Sequence, residues 1–180
     1  MDILEIEIKS YCDDHAPVTA KLEAMGARHA WTGREQDLYL NHPSRDFRKT
    51  DEALRLRQAR GRVILTYKGP KIGTAAKTRR EEEVAVEDFG QALVILGLLG
   101  FVEFGSVTKE RAVYRLGETE ICMDTVEGVG RFVEIEMKGS DRERIEGELF
   151  RLAGDLGLDR FERRSYLELK YGAPGARNRA

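Results

Sequence analysis

Charged side chains alternate with apolar ones in two similar stretches of the chain, and the alternation brings like charges together. Residues 5 to 9 read EIEIK, and residues 134 to 138 read EIEMK. A period of two is typical of a β-strand, so each stretch places its charged side chains on one face of a sheet. Neighbouring carboxylates repel one another unless a cation lies between them. The spacing therefore predicts a charged sheet face that can bind a divalent metal ion.

Three further predicted strands also carry charged residues on a common face, and most of these residues are basic. They are Arg55 and Arg57, then Arg79 with Glu81 and Glu83, and then Lys109 and Arg111. Basic groups in such positions need anions, and a guanidinium group matches the geometry of phosphate oxygens. Mg²⁺ or Mn²⁺ commonly bridges carboxylate and phosphate oxygens. A divalent metal ion together with a polyphosphate would therefore neutralise both sets of charges.

Composition limits the class of protein. The chain has 180 residues, of which 34% are charged, and its formal net charge is only -2. The length suits one domain, and the balanced charge does not indicate a simple basic surface for nucleic acid. The sequence shows no signal peptide and no apolar run of membrane-spanning length. With Cys12 and Cys122 as the only cysteines, we expect a cytoplasmic protein with reduced thiols and no nucleic-acid or membrane partner.

Alternation, helical spacing and turn residues together predict the elements that must position the charged groups. Strands are predicted near residues 2 to 10, 28 to 40, 53 to 60, 62 to 68, 79 to 86, 107 to 116, 119 to 126 and 131 to 138. Helices are predicted near residues 16 to 25, 88 to 99 and 141 to 156, and the apolar run VILGLLGF is interpreted as helix core that could include a dimer contact. The predicted domain spans residues 1 to 172, followed by a disordered tail over 173 to 180.

The two faces of the predicted strands differ, and the difference indicates the architecture. In the first, third and last strands the face opposite the charges carries Ile, Leu or Val, which suits packing beneath helices. About eight antiparallel strands can close into a barrel, which removes exposed edges. We therefore expect an α+β fold, in which an eight-stranded closed barrel has helices packed on its outside and a charged, water-filled interior.

The ordered set of motifs resembles the CYTH family of triphosphate tunnel metalloenzymes. The motifs are ExExK at 5 to 9, LRLR at 54 to 57, Lys68 in LTYKGP, RxExE at 79 to 83, KxR at 109 to 111 and DTVEGVGRFVEIE at 124 to 136. Within the family, GVGRFVEIE and the later RSY at 164 to 166 are most similar to the class IV adenylyl cyclase branch. The resemblance covers the chain to about residue 172.

The resemblance implies a tunnel that binds a triphosphate and a divalent metal ion, Mg²⁺ or Mn²⁺, and it implies a role for each matching residue. The implied metal environment is Glu5, Glu7, Asp124, Glu134 and Glu136. The implied phosphate contacts are Lys9, Arg55, Arg57, Lys68, Arg79, Lys109 and Arg111. Glu5, Glu7, Lys9 and Glu134 are the implied catalytic residues. Glu81 and Glu83 either support the basic residues or face a second metal ion, and a homodimer is also implied.

Three functions remain open from the sequence. The first, which is the lead hypothesis, is a class IV adenylyl cyclase, in which the ribose 3′-hydroxyl of ATP attacks the α-phosphorus and pyrophosphate leaves. The second is hydrolysis of inorganic, thiamine or nucleoside triphosphate, because one fold can host both reactions. The third is a noncatalytic module that binds polyphosphate or nucleotide. The segment GPKIGTAAKT lacks the spacing of a P-loop, so we interpret it as a loop at the tunnel mouth, where Lys71 and Lys77 could meet substrate.

Overall fold

The computed structural model describes residues 3 to 172, and an antiparallel sheet of nine strands forms its centre. The strands are β1 (Leu4–Tyr11), β2 (Arg28–Asn41), β3 (Ala53–Ala59), β4 (Arg62–Lys68), β5 (Lys77–Arg79), β6 (Glu81–Val86), β7 (Val102–Leu116), β8 (Thr119–Val126) and β9 (Gly130–Gly139). The helices are α1 (Ala16–Ala24), α2 (Phe47–Thr50), α3 (Phe89–Leu98), α4 (Arg142–Leu156) and α5 (Tyr166–Tyr171). The predicted tail lies outside the described residues.

The sheet curls into a nearly closed barrel. Its strands follow the order β5-β1-β9-β8-β7-β2-β3-β4-β6, and every described pair is antiparallel. The two edge strands, β5 and β6, are consecutive in the chain and are separated only by Arg80. Because β5 pairs with β1 while β6 pairs with β4, the segment from 77 to 86 joins the two edges of the sheet.

The barrel prediction is confirmed, but the number of strands is nine rather than eight and the closure is incomplete. The sequence predicts one strand from Arg79 to Val86, whereas the structure interrupts it at Arg80. At that residue the chain changes its pairing partner, and the Arg80 carbonyl accepts a hydrogen bond from the Gly69 amide at 2.9 Å. Alternation continues unbroken through Arg79, Glu81 and Glu83, so the sequence carries no signal of the interruption.

Helices α1 and α4 cover one side of the barrel and thereby decide which strand face points inward. The buried residues of α4 form one stripe at helical spacing: Ile145, Leu149, Ala153 and Leu156. They share a core cluster with apolar residues of β1 and β9, which include Ile6, Ile8, Val133 and Ile135. The apolar residues of EIEIK and EIEMK are thus buried beneath the helices. Their charged neighbours must point to the opposite face, which is the barrel interior.

Two short helices were not predicted, and one of them closes part of the barrel. Helix α2 lies between the second and third predicted strands, where the sequence indicates only a loop, and α5 follows the RSY motif. The Tyr166 ring of α5 packs on Phe132 with a centroid distance of 5.0 Å, and both belong to a core cluster with Val107 and Val126. Helix α5 therefore carries an aromatic side chain into the barrel and restricts access from that side.

Helix α3 forms where the sequence predicts it, but its apolar run is less buried than expected. The sequence analysis interprets its apolar run as helix core, yet only Leu96 is buried, while Val94, Ile95 and Leu98 are exposed. Leu96 packs in a core cluster with Leu54, Leu56 and Val63, and Phe89, Ala92 and Leu93 are partly buried against it. Among residues 3 to 172, no helix is both long enough and apolar enough to cross a membrane.

Candidate active site

A cavity of about 720 Å³ lies inside the barrel and collects the charged faces of its strands. The predicted site residues that line it are Glu5, Glu7, Arg55, Arg57, Lys68, Arg79, Glu81, Glu83, Lys109, Arg111, Glu134 and Glu136. Lys9 and Asp124 are also buried inside the barrel, but they do not line this cavity. The period-two alternation places these charged residues on one face of each strand, and the curled sheet turns that face toward a single cavity.

Three carboxylates converge where β1 meets β9. Oxygen atoms of Glu5, Glu7 and Glu136 lie within 4.8 Å of one another, because Glu7 and Glu136 face each other across the strand pair. Lys77 donates to Glu7 at 3.0 Å, and the lysines Lys68 and Lys138 lie 3.8 and 3.6 Å from Glu5. Three oxygen ligands at this spacing could hold a hard divalent cation such as Mg²⁺ or Mn²⁺.

Glu136 is the member of this cluster whose charge is least compensated. Within the described residues it forms no ion pair, whereas Glu5 and Glu7 each have a lysine nearby. Burial, and then the Glu5 carboxylate, raise the pKa of Glu136 well above its usual value. A carboxyl group in this environment gains more than its neighbours from a bound cation, which would remove the repulsion between the three acids.

Two buried arginines in the cavity keep unused hydrogen-bond donors. The Nε atoms of Arg55 and Arg79 have no hydrogen-bond partner within the part of the chain that the structure describes. Arg79 is held only loosely, with NH2 3.6 Å from Asp51, while Arg55 donates from NH2 to Thr66 at 3.1 Å. Buried donors normally have partners, so these two guanidinium groups are suited to an incoming anion.

Asp124 is placed differently from the three-carboxylate cluster. Its two oxygens accept hydrogen bonds from Arg111 at 2.7 and 2.6 Å, from Lys109 at 3.1 Å and from the Tyr166 hydroxyl at 2.8 Å. The side chain is completely buried, and although burial would raise its pKa, Arg111 and Lys109 bring the pKa below its usual value. Asp124 thus orients two of the predicted phosphate-binding residues. Its predicted contact with metal remains a prediction.

Glu134 and Lys9 form a second buried pair beside Asp124. Arg111 donates to Glu134, and the Lys9 Nζ atom lies 4.0 Å from the same carboxylate. Burial would raise the pKa of Glu134, but Arg111 and the neighbouring lysines hold it well below its usual value. Lys9 also donates to the Arg164 carbonyl and lies 4.3 Å above the Tyr166 ring. Burial, and then the charge of Lys77, lower the pKa of Lys9 to about 8.

The two acids with a predicted supporting role lie beside basic side chains. Lys68 donates to Glu81, and Glu83 accepts from Thr66 at 3.0 Å and from Arg55 at 3.4 Å. These contacts favour the alternative in which Glu81 and Glu83 hold basic residues in place. The choice between this role and a second metal site remains a prediction.

Several charged residues of the cavity were not among the predicted site residues. Glu35 and Asp37 of β2 face the cations of β3 and β7, and the hydroxyl group of Tyr166 reaches Asp124. The alternation of Glu35, Asp37 and Tyr39 within β2 is a signal that could have placed the two acids inside. Tyr166 belongs to the RSY motif, but the motif does not place its hydroxyl group, because that position depends on how α5 packs.

The loop that was expected at the tunnel mouth contributes two lysines to the cavity. Lys77 begins β5, while Lys71 donates to Asp51 from its backbone amide at 2.8 Å and from Nζ at 2.7 Å. Lys71 also lies 3.6 Å from Glu168 of α5. The loop, the end of α2 and α5 are thereby connected through charged side chains at one side of the chamber.

Comparison with known proteins agrees with this architecture. The model of the CYTH domain family matches residues 4–166. The chain belongs to the CYTH family. It is 39% identical over 173 residues to a candidate adenylate cyclase of Methanocaldococcus jannaschii, a match that covers 93% of this chain and 99% of the relative. The adenylate cyclase CyaB of Aeromonas hydrophila is 28% identical over 173 residues, covering 92% of this chain and 87% of the relative.

Solved structures place the same CYTH fold in other organisms. The PH1819 protein of Pyrococcus horikoshii is 40% identical, and its structure superposes with a TM-score of 0.83 over 92% of this chain and 97% of its own. A Hippeastrum protein described as having a dominant triphosphatase activity is 20% identical, with a TM-score of 0.69 over 95% of this chain and 96% of its own. At this identity the Hippeastrum structure supports the fold alone.

Proposed function

We propose that the protein is a divalent-metal-dependent enzyme acting on triphosphates, and that its main reaction converts ATP to cyclic AMP and pyrophosphate. One observation carries this proposal: a single cavity combines the uncompensated carboxylate Glu136 with the buried arginines Arg55 and Arg79, which keep free donors. The acid needs a cation and the arginines need an anion. A complex of a metal ion with a triphosphate supplies both.

Glu5, Glu7 and Glu136 are the residues that would hold Mg²⁺ or Mn²⁺, because hard divalent ions prefer carboxylate oxygens. When bound there, the ion would neutralise charge on phosphate oxygens and lower the pKa of an attacking hydroxyl group. The three acids lie on one wall of the cavity, formed by β1 and β9. This places the metal-binding groups beside the basic residues of β5, which pairs directly with β1.

The basic residues would position the triphosphate and stabilise the leaving group. Arg55 and Arg79 would donate to phosphate oxygens through Nε atoms that have no hydrogen-bond partner among the described residues. In cyclisation the bond from the ribose 3′ oxygen to the α-phosphorus forms, the bond from the α-phosphorus to the oxygen that bridges it to the β-phosphorus breaks, and the hydroxyl proton passes to water. Negative charge accumulates on the departing pyrophosphate, and positioned cations stabilise that charge.

The names of the two relatives favour cyclisation over hydrolysis, since one is named an adenylate cyclase and the other a candidate adenylate cyclase. Hydrolysis of a triphosphate is the second candidate function, because the triphosphatase activity named for the Hippeastrum protein occurs on the same fold. The charged contacts of the cavity would serve either reaction, since both require a bound triphosphate and a metal ion. What differs is the attacking group, a ribose hydroxyl in one case and water in the other.

A product assay separates the candidates. The purified protein is incubated separately with ATP, inorganic triphosphate and thiamine triphosphate in the presence of Mg²⁺ or Mn²⁺. Cyclic AMP is then resolved from pyrophosphate and orthophosphate. We expect cyclic AMP and pyrophosphate in equal amounts from ATP. Orthophosphate without cyclic AMP would establish the triphosphatase, and no product from any substrate would favour the noncatalytic binding module.

A homodimer is a separate part of the proposal. Helix α3 exposes Val94, Ile95 and Leu98, and a contiguous apolar patch of this kind is often covered by a partner. Sedimentation at several protein concentrations tests the association. A particle with the mass of one chain at every concentration would remove the dimer from the account without affecting the proposed reaction.

A further inference from the structure

Strand β2 places two acids among cations that are predicted to bind phosphate. Glu35 and Asp37 are each only 4% exposed, and both line the cavity. Neither belongs to the three-carboxylate cluster. Negative charge beside an anion-binding group opposes binding of the anion. Two buried acids in this position therefore require an explanation other than contact with substrate.

Asp37 holds Arg57 by two hydrogen bonds. Arg57 donates from Nε to Oδ1 at 2.6 Å and from NH2 to Oδ2 at 2.7 Å, and the two residues face each other across the β2–β3 pair. A two-point contact fixes the plane of the guanidinium group. It also occupies two of the three guanidinium nitrogens. Arg57 is thereby held against the wall of the barrel, with little capacity left for a ligand.

Glu35 acts on three cations at once. Its Oε2 atom lies 3.0 Å from Arg57 NH1, 3.4 Å from Lys109 Nζ and 3.8 Å from Arg111 Nε. The same atom is buried without a hydrogen bond of good geometry among the described residues. Although burial would raise the pKa of Glu35, Lys109 and Arg57 lower it, so the group is charged near neutral pH. Glu35 therefore neutralises these cations chiefly through its charge.

The two acids divide the basic residues of the cavity into two sets. Arg57, Lys109 and Arg111 face carboxylates of the protein at ion-pair distance. The Nε atoms of Arg55 and Arg79 have no hydrogen-bond partner among the described residues, and their nearest carboxylate oxygens belong to Glu83 at 3.4 Å and Asp51 at 3.6 Å, with Asp37 3.9 Å from Arg55. Among the described residues, only the second set has fully buried donors without a hydrogen-bond partner. Glu35 and Asp37 thus limit the number of cationic side chains that can bind the same anion.

We propose that Glu35 and Asp37 are positioning residues that limit the affinity of the cavity for polyphosphate, so that the pyrophosphate product can leave. The inference rests on the proposed function, since it concerns the product of that reaction. Without these acids, Arg57 would lose its carboxylate partners and turn toward the cavity, and the positive charge of Lys109 and Arg111, which Asp124 still holds in place, would be less compensated. Tighter binding of pyrophosphate slows its release, and product release often limits the rate of turnover.

Binding and kinetics of two variants test this inference. Pyrophosphate is titrated, with EDTA present, into the wild-type protein, Glu35→Gln and Asp37→Asn. We expect each variant to bind pyrophosphate about tenfold more tightly, on the scale of one close charge pair. In the metal-dependent reaction, kcat and KM should fall together while kcat/KM changes little. Glu127→Gln is the matched control, because Glu127 is an exposed acid that pairs with Arg34 at 3.0 Å outside the cavity.

A folded Glu35→Gln protein that binds pyrophosphate equally or more weakly than the wild type would overturn the inference. A purely structural role predicts this result together with a lower melting temperature. If Asp37→Asn does not fold, Glu35→Gln decides, because its Oε2 atom has no hydrogen bond to lose. A failure of the proposed function can be distinguished from a failure of this inference, because the pyrophosphate titration does not require catalytic turnover. Wild-type protein that binds pyrophosphate but forms no product contradicts the function, and wild-type protein that does not bind pyrophosphate contradicts the inference.

Discussion

Two regions of the same barrel use carboxylates in opposite ways. Where β1 meets β9, the oxygens of Glu5, Glu7 and Glu136 converge within 4.8 Å, and Glu136 forms no ion pair with any described residue. Where β7 meets β8, Asp124 receives hydrogen bonds from lysine, arginine and tyrosine side chains. In the first region, Glu136 has no cationic partner among the described residues. In the second region, both carboxylate oxygens of Asp124 accept hydrogen bonds.

The difference shows how a charged interior can be both stable and functional. Buried charges are tolerated when their hydrogen bonds are complete, and such networks hold side chains in one geometry. The saturated region around Asp124 therefore fixes the wall of the cavity. Binding capacity remains where partners are lacking, as at Glu136 and at the Nε atoms of Arg55 and Arg79. We expect substitutions in the two regions to affect different measurable quantities.

Asp124→Asn should produce the largest effect, and the effect should be on stability. The substitution removes the buried charge that faces Lys109 and Arg111, and breaking a buried pair of this kind costs about 3 to 5 kcal/mol of unfolding free energy. Urea denaturation measures the change. The exposed Glu127→Gln variant should change stability by no more than about 0.5 kcal/mol. Unchanged stability combined with lost metal affinity would instead group Asp124 with the metal ligands.

Glu136→Gln should give the opposite result. Removing a repelling carboxylate from the cluster should leave the melting temperature of the metal-free protein unchanged or higher. Metal-dependent turnover should fall by a factor on the order of 100 or more. Even the loss of a residue that only supports a metal ligand lowers metal affinity or activity by about tenfold to a hundredfold. Initial rates over a range of Mg²⁺ concentrations measure this loss. Turnover equal to that of the wild type at low Mg²⁺ would contradict the role of the cluster.

Arg79→Lys tests the free donors in the unsaturated region. The variant keeps the positive charge but loses the planar fork, so binding of inorganic triphosphate should weaken by about tenfold. Calorimetric titration measures the affinity. Arg34→Lys is the control, because Arg34 pairs with Glu127 outside the cavity. If Arg79→Lys and Arg34→Lys weaken triphosphate binding equally, or if neither weakens it, the Nε atom of Arg79 does not contribute to anion binding.

The smallest effect is a dependence of metal affinity on pH. Burial and the Glu5 carboxylate raise the pKa of Glu136, so a proton competes with the metal ion more strongly as the pH falls. The apparent affinity for Mn²⁺ should therefore rise from pH 6 to pH 8, by at most about tenfold per pH unit for one competing proton. Glu136→Gln should flatten this dependence. An affinity that falls with rising pH in the wild type would contradict the assignment.

Much of the fold could be predicted because alternation is local information. The charged faces of β1 and β9 follow directly from EIEIK and EIEMK, and the stripe of α4 explains why their apolar faces are buried. The interruption at Arg80 could not be predicted, because it reflects a change of pairing partner between distant strands. Helix α5 was missed because it is only six residues long, although Ser165 and Glu168 form a capping box.

The site was predictable to a similar extent. Residue type and alternation indicate which charges face inward, as for Arg55 and Glu136, but they do not show which charges already have partners. Asp124 is saturated because strand register places Arg111 directly opposite it, and because α5 supplies the Tyr166 hydroxyl group. Both conditions depend on tertiary structure. The division into saturated and unsaturated regions could therefore be recognised only from the structure.

The most direct test of this division is to locate the metal ion. Crystals grown with Mn²⁺ and a nonhydrolysable ATP analogue would give an anomalous difference map in which the ion appears independently of any model. We predict a peak at coordination distance from carboxylate oxygens of Glu5, Glu7 or Glu136, with analogue phosphate oxygens near Arg55 and Arg79. A peak at Asp124, or no peak inside the barrel at saturating Mn²⁺, would contradict the account.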